Sequence, residues 1–228
     1  MDQKFLKLFL VFAFLLATLP TTLCWDFWKL ALQWPPAVSL GYHAPNMDFT
    51  IHGLWTENFS TPWPAPRCPV PRSPYIHGLF ALQWPQLFQR LQVSWPDIKH
   101  GDANNEVFWE RQWRSHGGCS EVQYGQVGFF ELAVDLKDKY NLQASLVAAG
   151  IWPDYQNSVS MVRFKNAITA ATSNEPVLSC YWDYVPSLGG YGQILKEVRI
   201  CFDQHSSGID CPARNDPSDC SGPFIFFL

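Results

Sequence analysis

The apolar and polar positions along the chain alternate between two periods. Asp26 to Val38, D-F-W-K-L-A-L-Q-W-P-P-A-V, places large apolar residues alternately with polar or small ones and stops at Pro35-Pro36. That predicts a strand ended by a double proline. Phe49 to Leu54 predicts a second, shorter strand. After Pro85 the stretch Phe80 to Val93 shows helical spacing, and Asp102 to Asn105 supplies cap residues for the next helix. Phe129 to Lys139 and Leu142 to Ala149 are amphipathic at the helical period, the second closed by Gly150, and Met161 to Thr172 predicts a further helix. Val177 to Tyr184 and Ile194 to Asp203 predict strands around a turn at Gly189-Gly190, and the apolar tail Phe224 to Leu228 a last buried strand. Thr61 to Ser73, with prolines at 62, 64, 66, 69 and 71, predicts an irregular surface loop anchored by Cys68. Strands and helices without a repeat or linker predict one α+β domain.

That domain is expected to begin after the N-terminus. Lys4 and Lys7 lead into an apolar run, Leu8 to Leu16, and Thr22-Leu23-Cys24 places small residues where a signal peptidase cuts. Residues 1–24 are expected to be a signal peptide and 25–228 the domain. The run is too short to span a bilayer comfortably, and no later stretch approaches a membrane span. The destination is secreted or lumenal, extracellular or vacuolar. Of seven cysteines, six remain beyond Cys24, an even number suited to disulfides in an oxidising compartment. Their spacing contains no C-x-x-C, so disulfides are favoured over zinc. Asn58-Phe59-Ser60 is a glycosylation sequon. From Trp25 on, 14 Lys+Arg face 19 Asp+Glu, a net charge of about −5. A chain that neutralises many phosphates would be basic, so any nucleic-acid contact here is local and short.

The candidate chemistry lies in two stretches, each containing a histidine. Phe49 to Trp55 reads F-T-I-H-G-L-W, and Phe108 to Cys119 reads F-W-E-R-Q-W-R-S-H-G-G-C. At roughly 100° per residue a helix from Phe108 to His116 sorts into three arcs. Trp109 and Trp113 fall together as a core face, and Glu110 with Arg114 forms an exposed i,i+4 pair. With Arg111 at zero, Ser115, Phe108, Gln112 and His116 fill the remaining arc. An aromatic, a cation, an amide, a hydroxyl and a histidine suit a phosphate-containing ligand. A histidine at a helix C-terminus is also favoured by the macrodipole, with Gly117 as a stop. His43, His77, His100 and His205 sit in loop contexts and are expected to be surface residues.

The two stretches resemble the active-site motifs of the ribonuclease T2 family, F-x-I-H-G-L-W-P and F-W-x-H-E-W-x-K-H-G-x-C. The likeness extends to Gln33-Trp34-Pro35, to Gly150-Ile151-Trp152-Pro153 and to the E-V-x-I-C run from Glu197 to Cys201. The resemblance implies an α+β fold with a central antiparallel sheet flanked by helices. It implies metal-free, cofactor-free cleavage of single-stranded RNA through a 2′,3′-cyclic phosphate. His52 and His116 match the acid–base pair, Trp55 a base-stacking aromatic, Glu57 a base-contacting carboxylate and Phe108 an aromatic of the second base site. The implied disulfides are Cys68–Cys119, Cys180–Cys220 and Cys201–Cys211; the family's small N-terminal bridge has no cysteines here. Arg111 stands where the family has a phosphate-contacting histidine, Gln112 where it has glutamate, Ser115 where it has lysine, and Thr56 where it has proline. Losing one stabiliser of developing charge costs ~10²–10³ in rate, while a guanidinium at Arg111 binds phosphate bidentately. The expectation is a weakened secreted endoribonuclease acting as a monomer on single-stranded RNA. A catalytically inactive ribonuclease-related storage or defence protein is the alternative, and the acidic balance argues against a self-incompatibility role.

Overall fold

A computed structural model describes residues 25–38, 48–60, 69–212 and 218–228. The expected signal peptide at 1–24, His43 and Cys68 lie outside these residues. The fold is α+β. Strands β1 (Phe27–Gln33), β2 (Thr50–Glu57), β4 (Val177–Val185) and β5 (Gly190–Asp203) form an antiparallel sheet in the order β2-β1-β5-β4, with β6 (Gly208–Ile209) paired to β5. A second, two-stranded sheet pairs β3 (Val159–Ser160) with β7 (Phe224–Ile225).

The central strand β1 is buried along its whole length. One face presents Trp28, Leu30 and Leu32, as alternation predicts. The other holds Phe27, Lys29, Ala31 and Gln33, and its polar groups are buried too. A buried ammonium requires a counter-ion, and Lys29 Nζ lies 3.0 Å from Glu57 on the neighbouring strand. The strand ends at Gln33, just before the double proline expected to stop it. Pro35–Val38 makes one helical turn, α1, because proline's fixed φ suits the start of a helix. β2 runs past Leu54 to Glu57, where Thr56 pairs with Trp28 and Glu57 with Phe27.

Helices cover the sheet. They are α2 (Leu79–Gln83), α3 (Pro85–Ser94), α4 (Asn105–Gln112), α5 (Glu121–Lys139), α6 (Leu142–Ala148) and α7 (Met161–Thr172). The core between layers is aromatic: Trp25, Trp28, Trp34, Trp95, Trp109, Trp113, Phe129 and Phe130 are all fully buried. α5 begins eight residues before the expected Phe129, because a short first segment runs into it across a kink at Gly125. The kink has φ 59°, a left-handed value that glycine adopts without a Cβ penalty. The expected caps at Asp102 to Asn105 serve differently. Asp102–Asn104 is a 3₁₀ turn, and Asn105 Oδ1 accepts the backbone N–H of Asp97 at 2.7 Å. Only Phe224–Ile225 of the tail pairs as a strand; Phe226 and Phe227 are buried, while Phe224 is exposed. No helix among the described residues is long and apolar enough to cross a membrane.

Two disulfides staple the β-rich C-terminal half, Cys180–Cys220 and Cys201–Cys211. Both are pairings that the family resemblance implied. Cys119 is disulfide-bonded, and its expected partner Cys68 lies outside the described residues.

Candidate active site

The sheet carries two β-bulges, and each turns one side chain into the same cleft. Between β1 and β2, Ala31 pairs with Gly53 and Leu32 with Ile51, so His52 is the extra residue. Between β4 and β5, Ser179 pairs with Glu197 and Cys180 with Leu195, so Lys196 is the extra residue. A bulge breaks the strict alternation of a strand and re-aims the residue it extrudes. His52 and Lys196 both line a cleft of about 630 Å³, together with Gln33, Phe108, Arg111 and Gln112. Asp97, Lys99, His100, Tyr181 and Asp183 complete much of its wall.

His52 is fixed from two sides. Its Nδ1 lies 2.6 Å from Glu197 Oε2 on β5, and its carbonyl accepts the Trp95 indole N–H at 3.3 Å. Glu197 is 1% exposed, and its other oxygen, Oε1, takes a 2.6 Å bond from Arg199 Nε. Burial pushes the Glu197 carboxyl up, but the His52 hydrogen bond and charge, followed by Arg199, outweigh it and hold it at about 2. The carboxyl is therefore an anion near neutral pH.

Gly53 explains part of the H-G-L-W pattern. A Cβ there would meet Trp55 Nε1 at 2.1 Å and Gln112 Oε1 at 2.6 Å, so only glycine lets the indole fold back over the strand. Trp55 is 8% exposed. Its ring centroid lies 5.5 Å from that of His52 and 5.6 Å from that of His116, so both imidazoles pack on the same indole. Lys29 Nζ and the Arg199 guanidinium each approach the same ring to 5.9 Å. Trp55 thus stands as a buried wall against which both histidines pack, rather than as an open stacking face.

The second stretch departs from the expected helix. α4 is α-helical only to Gln112, and Trp113–Gly117 forms a π-helical turn. Wider turns change the angular increment, and the 100° wheel, which holds through Arg114, fails at Ser115 and His116. Trp109 and Trp113 are buried as expected, and Glu110 and Arg114 pair at 3.7 Å on the surface. Phe108, Arg111 and Gln112 reach the cleft wall. Ser115 and His116, both half-buried, are not among its lining residues; His116 instead packs on Trp55. The wheel's single arc is therefore split. Gly117 and Gly118 are sterically required, since a Cβ would meet the Trp113 ring at 2.1 Å and the Pro69 carbonyl at 1.6 Å.

Of the other expected site residues, Glu57 is 4% exposed and engaged with Lys29, and it is not on the cleft wall. Burial of Lys29 claims the carboxylate that the resemblance gave to a base. Asn58 follows β2 directly and precedes the turn at Phe59-Ser60. Arg111 is exposed, its Nε bonded to the Val107 carbonyl at 3.5 Å. Gln112 is 9% exposed, and its Oε1 has no hydrogen-bond partner among the described residues. His77 and His205 are exposed, His77 between Glu106 and Glu110. His100 is on the surface and also lines the cleft, where Asp97 accepts from its Nδ1 at 2.9 Å. Among the described residues no cluster of His, Cys, Asp or Glu is arranged to hold a metal ion.

Sequence reasoning missed Glu197, Arg199 and Lys196 as site residues. The first two left a signal: charged residues two apart share one strand face, alternating with the apolar Val198 and Ile200. Lys196 left none, because a bulge depends on how two strands pair.

A model of the Ribonuclease T2 family matches residues 17–211 of the chain. Ribonuclease S-6 of Nicotiana alata is 33% identical over 234 residues, which cover 97% of this chain and 96% of that protein. Extracellular ribonuclease LE of Solanum lycopersicum is 34% identical over 197 residues, covering 82% of this chain and 80% of its own length. Among solved structures, ribonuclease MC1 from the seeds of bitter gourd superposes with a TM-score of 0.72 at 29% identity, covering 89% of this chain and all of its own. RNase NT in complex with 5′-AMP gives a TM-score of 0.73 at 25% identity, covering 89% of this chain and 98% of its own. With two histidines about one indole, the antiparallel sheet and a family match over most of its length, the chain belongs to the ribonuclease T2 family.

Proposed function

We propose that the protein is a secreted, metal-independent endoribonuclease that cleaves single-stranded RNA, with turnover weakened by its second motif. The observation that carries the reading is the packing of both His52 and His116 against the one Trp55 ring. Two imidazoles on separate elements, brought to one ring, supply the acid and the base that RNA transesterification needs. One imidazole takes the 2′-hydroxyl proton as that oxygen attacks the adjacent phosphorus. The P–O5′ bond breaks, the second imidazole gives its proton to O5′, and a 2′,3′-cyclic phosphate remains. Gln33, Phe108, Arg111 and Lys196 line the cleft with hydrogen-bonding, stacking and cationic groups for a short stretch of RNA. The solved structures of a ribonuclease MC1 mutant with 5′-GMP and of RNase NT with 5′-AMP support a nucleotide as occupant.

Weak turnover follows from the charge on α4 and the π-turn. Gln112 offers a neutral amide and Ser115 a hydroxyl at the positions of the family's glutamate and lysine, and each such loss costs about 3–4 kcal/mol of transition-state stabilisation. Arg111 offsets part of this through its guanidinium. The same residues favour the second reading, an inactive storage or defence protein. Removal of residues 1–24, glycosylation at Asn58, monomeric state and an extracellular or vacuolar destination complete the first reading.

Purified protein in a chelating buffer is expected to convert single-stranded RNA to fragments ending in 2′,3′-cyclic phosphate, and His52→Ala to abolish this. No cleavage by the native chain over a day would overturn the reading in favour of the inactive one. The combined Arg111→His, Gln112→Glu, Ser115→Lys variant is expected to gain several orders of magnitude, with two losses that need not add. An unchanged rate would place the impairment elsewhere than the second motif.

A further inference from the structure

The groups behind His52 form a chain of fixed polarity. Each Glu197 oxygen is taken by a different partner: Oε2 lies 2.6 Å from His52 Nδ1, and Oε1 2.6 Å from Arg199 Nε. Glu197 is 1% exposed, Arg199 has a side-chain exposure of 13% and His52 one of 39%. An ionised carboxylate has no proton to donate. Whenever the His52 ring is neutral, the hydrogen in the Nδ1–Oε2 contact must therefore sit on Nδ1. The opposite nitrogen, Nε2, is then the bare one, on a ring that lines the cleft.

We propose that Glu197 is a positioning residue that holds His52 in its Nδ1–H tautomer, with Arg199 acting one step behind to hold Glu197. This deepens the ribonuclease reading and rests on it for its functional meaning. Neither partner touches the RNA. Glu197 decides which nitrogen of His52 exchanges a proton at the cleft, and the 2.6 Å contact to its carboxylate orients the ring. The bulge supplies the placement. Ile51 pairs with Leu32 of the core face and Gly53 with Ala31 of the opposite one, so His52 enters as the extra residue on the side that carries Glu197.

Arg199 makes the test sharp. In Glu197→Gln the guanidinium can only donate, so the amide oxygen stays with Arg199 and the NH₂ turns to His52. Nδ1 must then accept, and the proton moves to Nε2. The wrong tautomer in an otherwise intact site cuts kcat by ~10⁴ in the serine protease triad that serves as the general precedent.

The experiment is ¹H–¹⁵N correlation spectroscopy of the imidazoles in the ¹⁵N-histidine-labelled full chain, at a pH where they are neutral. The wild type is expected to show His52 with Nδ1 protonated and Nε2 bare, and Glu197→Gln the reverse. For the variant, kcat on a dinucleotide is expected to fall ~10²–10⁴-fold with KM within about threefold. Adding Arg199→Met frees the amide to rotate and is expected to restore Nδ1–H. A wild-type His52 protonated on Nε2 overturns the proposal, and it does so even if the variants fail to fold. So does a tautomer that Glu197→Gln leaves unchanged. A wild type that shows Nδ1–H but cleaves no RNA sinks the ribonuclease reading and leaves the dyad standing.

Discussion

Three buried charges on one sheet face, Lys29, Glu57 and Glu197, together with Arg199, show how single residues shape this site. Each has an ion-pair partner at 3.0 Å or less, which meets the condition for burying charge. Glu197 carries a consequence for acid stability. Its carboxyl is held at about 2, below the ordinary value of 4.5. A depressed pKa means that the folded protein favours the anion, so the stabilisation is present above pH 4.5 and is lost as the pH falls towards 2. The loss is on the order of 3 kcal/mol. Urea midpoints measured from pH 7 to pH 2 are expected to converge for wild type and Glu197→Gln in that window. Parallel curves throughout would show that the carboxylate does not favour the folded state.

At the scale of elements, the irregular features set the site: two bulges and one π-turn. Each adds or widens by a residue at a place where a chemically active side chain leaves the regular pattern. The Lys196 bulge is the least expected. It extrudes an exposed cation into the cleft, and Lys196 has no ion-pair partner among the described residues. Lys196→Gln is expected to weaken RNA binding for all sequences alike and to lower the salt slope of log K by about 0.7 for single strands. Thermal or urea stability should change by no more than about 0.5 kcal/mol, as for other exposed substitutions. Filter binding or fluorescence anisotropy across a salt series reads both quantities. An unchanged slope would remove Lys196 from the phosphate contacts.

Across the whole molecule, an acidic chain concentrates its cleft cations at Lys99, Arg111 and Lys196, and keeps its long-range scaffold through disulfides. Cys180–Cys220 spans 40 residues and Cys201–Cys211 spans 10. In the chain-entropy account the longer loop stabilises by about 4 kcal/mol and the shorter by about 3. Double alanine replacement of the first pair is expected to cost about 1 kcal/mol more than replacement of the second, read from denaturant midpoints. The reverse order would show that packing around Cys201 outweighs loop closure. Cys180–Cys220 also ties the C-terminal segment to β4. There Phe226 and Phe227 enter the core, and the Leu228 carbonyl accepts from the Trp34 indole.

The sequence alone determined the α+β class, the positions of β1, β2, β4, β5 and α7, and the two histidine-bearing stretches. Periodicity and short motifs are local properties, and those elements follow them. Val177 to Tyr184 became Val177–Val185, and Met161 to Thr172 was met at both ends. The Trp109 and Trp113 core face was also legible, because it lies before or at the edge of the π-turn. Tertiary structure alone decided what surrounds each histidine. Glu197 lies 145 residues from His52 in sequence and 2.6 Å from it in space. Trp55 turned from an open platform into a wall because Gly53 lets it fold back, and Glu57 turned inward because Lys29 is buried beside it. Which residue a bulge extrudes depends on the register between two strands, and no single strand's sequence contains that register.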